Sequence, residues 1–92
     1  MSQTVRRQLE IINVKGLHAR ASAKFVDVVE RFDATAQVER DGMSVSGDSI
    51  MGLLMLTAPR GSTIQVTTSG AEAAALADAL EALVADYFGE GM

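Results

Sequence analysis

The single histidine of this chain, His18, lies in the run Gly16-Leu17-His18-Ala19-Arg20-Ala21-Ser22. Partly alternating apolar residues precede that run and an amphipathic helical pattern follows it, so the imidazole is expected where a strand turns into a helix. At such a point a ring nitrogen faces water beside the first free N–H groups of the helix. Those groups and the positive end of the helix dipole favour bound anions, phosphate above all. Arg20 adds a permanently charged, planar donor fork that matches phosphate oxygens. A lone histidine in a small protein is ordinarily a surface or hydrogen-bonded structural residue. Here a turn glycine (Gly16), an imidazole, a helix start and an arginine coincide, and the combination points to an imidazole that carries a phosphoryl group. A neutral, exposed imidazole is a competent nucleophile near neutral pH.

A second stretch, Asp48-Ser49-Ile50-Met51-Gly52-Leu53-Leu54-Met55-Leu56, is short and almost wholly apolar after its polar start. Ser49 or Asp48 is the expected N-cap of a helix there. So short a helix cannot bury every side. Leu53 and Leu56 are expected in the core, while Ile50, Met51, Leu54 and Met55 are expected to supply a partly exposed apolar patch suited to docking a partner. Gly52 weakens the helix but lets a partner backbone approach closely.

The elements that must position these residues follow from periodicity. Val5, Leu9 and Ile11 mark one side of a strand near residues 5–12, and Gly16 ends the connection that follows. Residues 19–32 read as a helix with Ala21, Phe25, Val28, Val29 and Phe32 inward and Ser22 off that stripe. Residues 34–40 alternate, Asp41-Gly42 is a strong hairpin turn, and residues 43–46 return as the paired strand. After the turn at 57–62, residues 63–69 alternate and are rich in β-branched types. Residues 71–88 form the clearest helix, with Leu76, Leu80, Leu83, Val84 and Tyr87 on one stripe, and Gly89-Glu90-Gly91-Met92 should fray. The order is βαββαβα, and three helices on one sheet face with the other left to water is an α+β arrangement.

Composition narrows the function. Ninety-two residues suffice for a single domain, residues 1–92. No cysteine is present and His18 stands alone, so neither disulfides nor a metal site is expected, and nothing implies a cofactor. The net charge of −4 disfavours nucleic acid, whose affinity rests on neutralising phosphates. No stretch resembles a signal peptide or approaches the roughly twenty apolar residues that span a bilayer; a cytoplasmic protein without membrane insertion is the expectation. Basic residues fall early (Arg6, Arg7, Lys15, Arg20, Lys24, Arg31) and many acidic ones late, which would leave a basic patch around His18 for phosphate or an acidic partner. No second acid or base accompanies His18 in the sequence, which argues against a stand-alone enzyme.

Taken together, Gly16-Leu17-His18-Ala19-Arg20 resembles the active-site motif of the HPr family, the histidine-containing phosphocarriers of the phosphoenolpyruvate-dependent phosphotransferase system. Asp48-Ser49-Ile50-Met51-Gly52 resembles that family's regulatory-serine motif, and the likeness spans essentially the whole chain. The resemblance implies an open-faced β-sandwich: a four-stranded antiparallel sheet with three helices on one face. It implies that His18 accepts a phosphoryl group on Nδ1 from phosphorylated enzyme I and passes it to an EIIA-type domain, with Arg20 steadying the phosphate. Ser49 would match the serine modified by the ATP-dependent HPr kinase/phosphorylase. Ala19, Lys24, Ile50, Met51 and Leu54 would match the partner-docking surface, and the family suggests a monomer. Ala21 stands where the family usually has proline, which would pre-set the first helical turn and contribute about 0.4–1 kcal/mol. Two alternatives accompany this reading: a regulatory phosphorelay of the nitrogen-related branch, and a partner-binding module in which His18 is idle.

Overall fold

The computed structural model describes residues 3–92. Strand β1 (Gln3–Glu10) leads into helix α1 (Ala19–Glu30); β2 (Thr35–Arg40) and β3 (Met43–Ser46) form a hairpin; helix α2 (Ile50–Met55), strand β4 (Thr63–Gly70) and helix α3 (Ala73–Ala85) complete the chain, followed by one 3-10 turn (Tyr87–Gly89). The sheet is antiparallel throughout, in the order β1-β4-β2-β3. It is an open-faced α+β sandwich in which the three helices share one face.

Alternation decides which face is covered. Leu9, Ala36, Val38, Ile64, Val66 and Thr68 point under the helices and are buried, while Gln8, Gln37 and Glu39 on the opposite face are exposed. This one-sided pattern is what an antiparallel sheet with one solvated face demands. Phe25, Leu53, Leu76, Leu80 and Phe88 close the core from above and are fully buried. Two of the early basic residues are paired locally: Arg7 bridges Asp78 and Glu81 on α3, and Arg31 pairs with Asp27 one helical turn away.

Two helical faces differ from the periodic expectation. The buried side of α1 is Ala21, Ser22, Phe25, Val26 and Val29, so Ser22 and Val26 are inside while Val28 and Phe32 are only half-buried. The helix faces sheet and neighbouring helices at once, which widens and rotates its buried stripe. At the far end α3 stops at Ala85, Tyr87 is exposed, and Phe88 takes the core position. Tyr87 and Phe88 both adopt left-handed backbone angles (φ 58° and 53°), which breaks the helical period and swings the next side chain inward.

Candidate functional site

The segment that delivers His18 is held by close backbone packing. Gly16 has φ +68°, and a Cβ there would lie 2.6 Å from the Ala58 carbonyl oxygen and 2.9 Å from the Pro59 Cα. Only glycine fits both the angle and the space. That approach lets the Leu17 N–H donate to the Ala58 carbonyl at 2.9 Å, with the Leu17 side chain buried beneath. The Asn13 Nδ2 donates to the Gly16 carbonyl at 2.8 Å, closing the turn. His18 is thereby set at the N-cap of α1, with extended backbone angles (φ −80°, ψ −176°).

Both ring nitrogens of His18 are engaged. Nδ1 accepts from the Arg20 backbone N–H at 3.3 Å, and Nε2 meets a carboxylate oxygen of Glu90. A backbone N–H can only donate and an ionised carboxylate can only accept. Both partners therefore select the same tautomer: the proton on Nε2 and the lone pair on Nδ1, at the mouth of the helix. The sequence predicts a ring nitrogen open to water with a guanidinium aimed at it. Instead the side chain is 26% exposed, and what faces Nδ1 is the Arg20 main chain. The Arg20 side chain is exposed and makes no hydrogen bond to the ring among the described residues.

Glu90 corrects two expectations: the last residues do not simply fray, and His18 does have an acid–base companion. Phe88 is wholly buried, and Lys24 Nζ donates to its carbonyl at 2.5 Å. Burying a phenylalanine side chain contributes roughly 1.5–3 kcal/mol, a gain comparable with a cost of about 1–3 kcal/mol for each left-handed residue; the bonds from Lys24 and Asn13 add to it. Beyond Gly89 the Glu90 side chain, 13% exposed, accepts from Asn13 Nδ2 at 2.9 Å as well as from His18. Burial pushes the Glu90 carboxyl upward, but hydrogen bonds from Asn13 and His18 and the charge of Lys15 outweigh it, so the group titrates below its ordinary value. Asn13 Oδ1 is buried without a partner among the described residues. Its amide orientation is nonetheless fixed, because Nδ2 serves two acceptors. No sequence periodicity links Asn13, His18 and Glu90; a large apolar residue followed by glycine after a helical stretch (Phe88-Gly89) is the only hint that the tail folds back.

Positive charge does gather here. Lys15, Arg20 and Lys24, with Gly89 and the Glu90 that holds the ring, line a cleft of about 380 Å³. The Lys24 ammonium group is turned to the Phe88 carbonyl, and Ala19 is exposed at the start of α1.

The second candidate lies at the start of α2. Ser49, and not Asp48, is its N-cap: Ser49 Oγ accepts from the Gly52 N–H at 3.0 Å, while Asp48 accepts from the Ser46 hydroxyl at 2.5 Å. Leu53 and Leu56 are buried; Ile50, Met51 and Met55 are 40%, 70% and 60% exposed, and Leu54 is half-buried. Gly52 serves internal packing, since a Cβ there would lie 3.0 Å from the Val45 Cβ.

An open-faced sandwich whose one histidine caps its first helix, with a lone pair aimed at the helix amides, defines a class of small histidine-bearing α+β modules. The family described as "PTS HPr component phosphorylation site" matches residues 5–86. The phosphocarrier protein HPr of Neisseria meningitidis serogroup B is 45% identical over 87 residues, covering 95% of this chain and 98% of that one. The phosphocarrier protein NPr of Shewanella violacea is 40% identical and covers 94% of both chains. The crystal structure of HPr-C-His from Thermoanaerobacter tengcongensis superposes with a TM-score of 0.91 at 33% identity, over 96% of this chain and 99% of that one. The chain belongs to the HPr family of phosphotransferase-system phosphocarriers. Glu90 lies beyond the residues that the family model matches.

Proposed function

We propose that this protein takes a phosphoryl group from phosphorylated enzyme I onto His18 Nδ1 and hands it to an EIIA-type domain. The observation that carries this reading is the direction of the Nδ1 lone pair, set by Glu90 on one side of the ring and the Arg20 N–H on the other. When Nδ1 attacks phosphorus it gives up its acceptor role toward that N–H. The phosphoryl oxygens then become the acceptors for the first amides of α1, where negative charge is favoured. Arg20 and Lys15, lining the adjacent cleft, supply charge-assisted hydrogen bonds to an incoming phosphoryl group. A carrier must release as well as accept, and a few solvent-edge bonds suit that better than an enclosed site.

The reading extends to the docking face and to regulation. Ala19 at the head of α1 and Ile50, Met51 and Leu54 on α2 form the surface against which enzyme I and EIIA partners sit, with the protein acting as a monomer. Phosphorylation of Ser49 by an ATP-dependent HPr kinase/phosphorylase adds about −2 charge beside that apolar surface. This raises its desolvation cost and repels acidic partners. Incubation with enzyme I and labelled phosphoenolpyruvate should give an acid-labile, base-stable label that disappears in His18→Ala; an unlabelled native protein would overturn the carrier reading. Onward transfer to a sugar-type or a nitrogen-type EIIA domain then assigns the branch.

A further inference from the structure

We infer that Glu90 is a positioning residue for the phosphoryl-transfer cycle, holding the Nε2 proton of His18 while the phosphoryl group is on Nδ1. The inference rests on the carrier reading of His18, and its grounds are geometric. The Glu90 carboxylate splits its two oxygens between Asn13 Nδ2 and His18 Nε2. It is brought there by the buried Phe88 and by the bond from Lys24 to the Phe88 carbonyl. The charged groups around the pair are Lys15 from the loop before α1 and Arg20 and Lys24 from α1 itself. All three are cationic, and among the side chains of the described residues that line this cleft Glu90 is the one anionic group.

The chemistry of the step shows what such a carboxylate does. The Nδ1 lone pair of His18 forms the new N–P bond. The N–P bond of the donor's phosphoimidazole breaks, and its electron pair stays on the donor ring. His18 keeps its Nε2 proton, so its ring becomes an N-phosphoimidazolium with a positive charge. A carboxylate on Nε2–H stabilises that charge and keeps the proton in place. An N-phosphoimidazolium gives up its phosphoryl group readily, because the leaving ring departs as a neutral imidazole. Without the carboxylate the proton is lost more easily, and the remaining neutral phosphoimidazole must expel a poorer leaving group. Glu90 thus keeps the carrier loaded in its transferable form.

The test is Glu90→Gln, which keeps the size of the side chain but removes its charge and lets only one of the two neighbours find an oxygen. Native and variant proteins are phosphorylated with enzyme I and phosphoenolpyruvate. Hydrolysis and onward transfer are timed near neutral pH, and Nε2 protonation of the phosphorylated ring is read by nitrogen NMR. A charge-assisted bond is about twice as strong as a neutral one, so the variant should lose its label about five- to tenfold more slowly. Its phosphorylated ring should show Nε2 deprotonated where the native one is protonated, with an amide spectrum otherwise matching the native fold. Equal lifetimes and equal Nε2 signals would overturn the role of Glu90 while leaving the carrier reading intact. A native protein that takes no label would instead overturn the carrier reading, and this inference with it.

Discussion

His18 and Ser49 each cap a helix through the atom that a phosphoryl group would occupy, Nδ1 toward the Arg20 N–H and Oγ toward the Gly52 N–H. What surrounds the two caps is different. The histidine opens a twelve-residue helix, lies among Lys15, Arg20 and Lys24, and has its other nitrogen held by a segment 72 residues away in sequence. The serine opens a six-residue helix, follows Asp48, and leads into exposed Ile50 and Met51. On the proposed reading, the first environment suits a phosphoryl group that must be both taken up and released. Among the described residues the Ser49 hydroxyl has no cationic side chain bonded to it, and apolar surface follows it instead, so on the same reading charge added there would change what docks.

The sharpest way to break this contrast is to release the tail. Phe88→Ala empties a fully buried site and should cost about 3–5 kcal/mol. It should also free Glu90 from His18 while leaving the Ser49 cap in place. Denaturant unfolding gives the first number, and ring-nitrogen and Gly52 amide signals give the second. Loss of both signals together would mean that the two sites are not separately built. A smaller effect is expected from Ser49→Ala, which removes the α2 cap and should cost about 1 kcal/mol. It should abolish kinase-dependent labelling yet leave transfer from enzyme I to His18 close to native. A large loss of that transfer would show that the serine belongs to the histidine's chemistry and not to its regulation.

Most of the fold is legible in the sequence because its elements repeat at their own periods. Asp41-Gly42 marks the hairpin, and the β-branched run at residues 63–69 marks the fourth strand, though not its central place in the sheet. A cap at Asp48 or Ser49 is legible because both stand just before an apolar run, and the bond from the Gly52 N–H selects Ser49. The helix start at His18 was legible for the same reason. The rest was hidden by tertiary structure. Ser22 and Val26 are buried because α1 packs against more than one neighbour, which a single stripe does not capture. Tyr87 and Phe88 leave the helical period through two left-handed residues, so the aromatic that reaches the core is one position later than the stripe predicts. Glu90 follows from that turn alone. Terminal residues fray by default, and here one buried ring and one lysine bond reverse the default.

The proposed carrier chemistry depends on which nitrogen of His18 holds the reactive lone pair. The direct measurement is the phosphorus–nitrogen coupling pattern of the protein after phosphorylation by enzyme I, recorded on nitrogen-labelled histidine. Coupling to Nδ1, with the proton still on Nε2, is the predicted result. Coupling to Nε2 would mean that the contact with Glu90 gives way on phosphorylation and that the lone pair facing the helix amides is not the one that reacts.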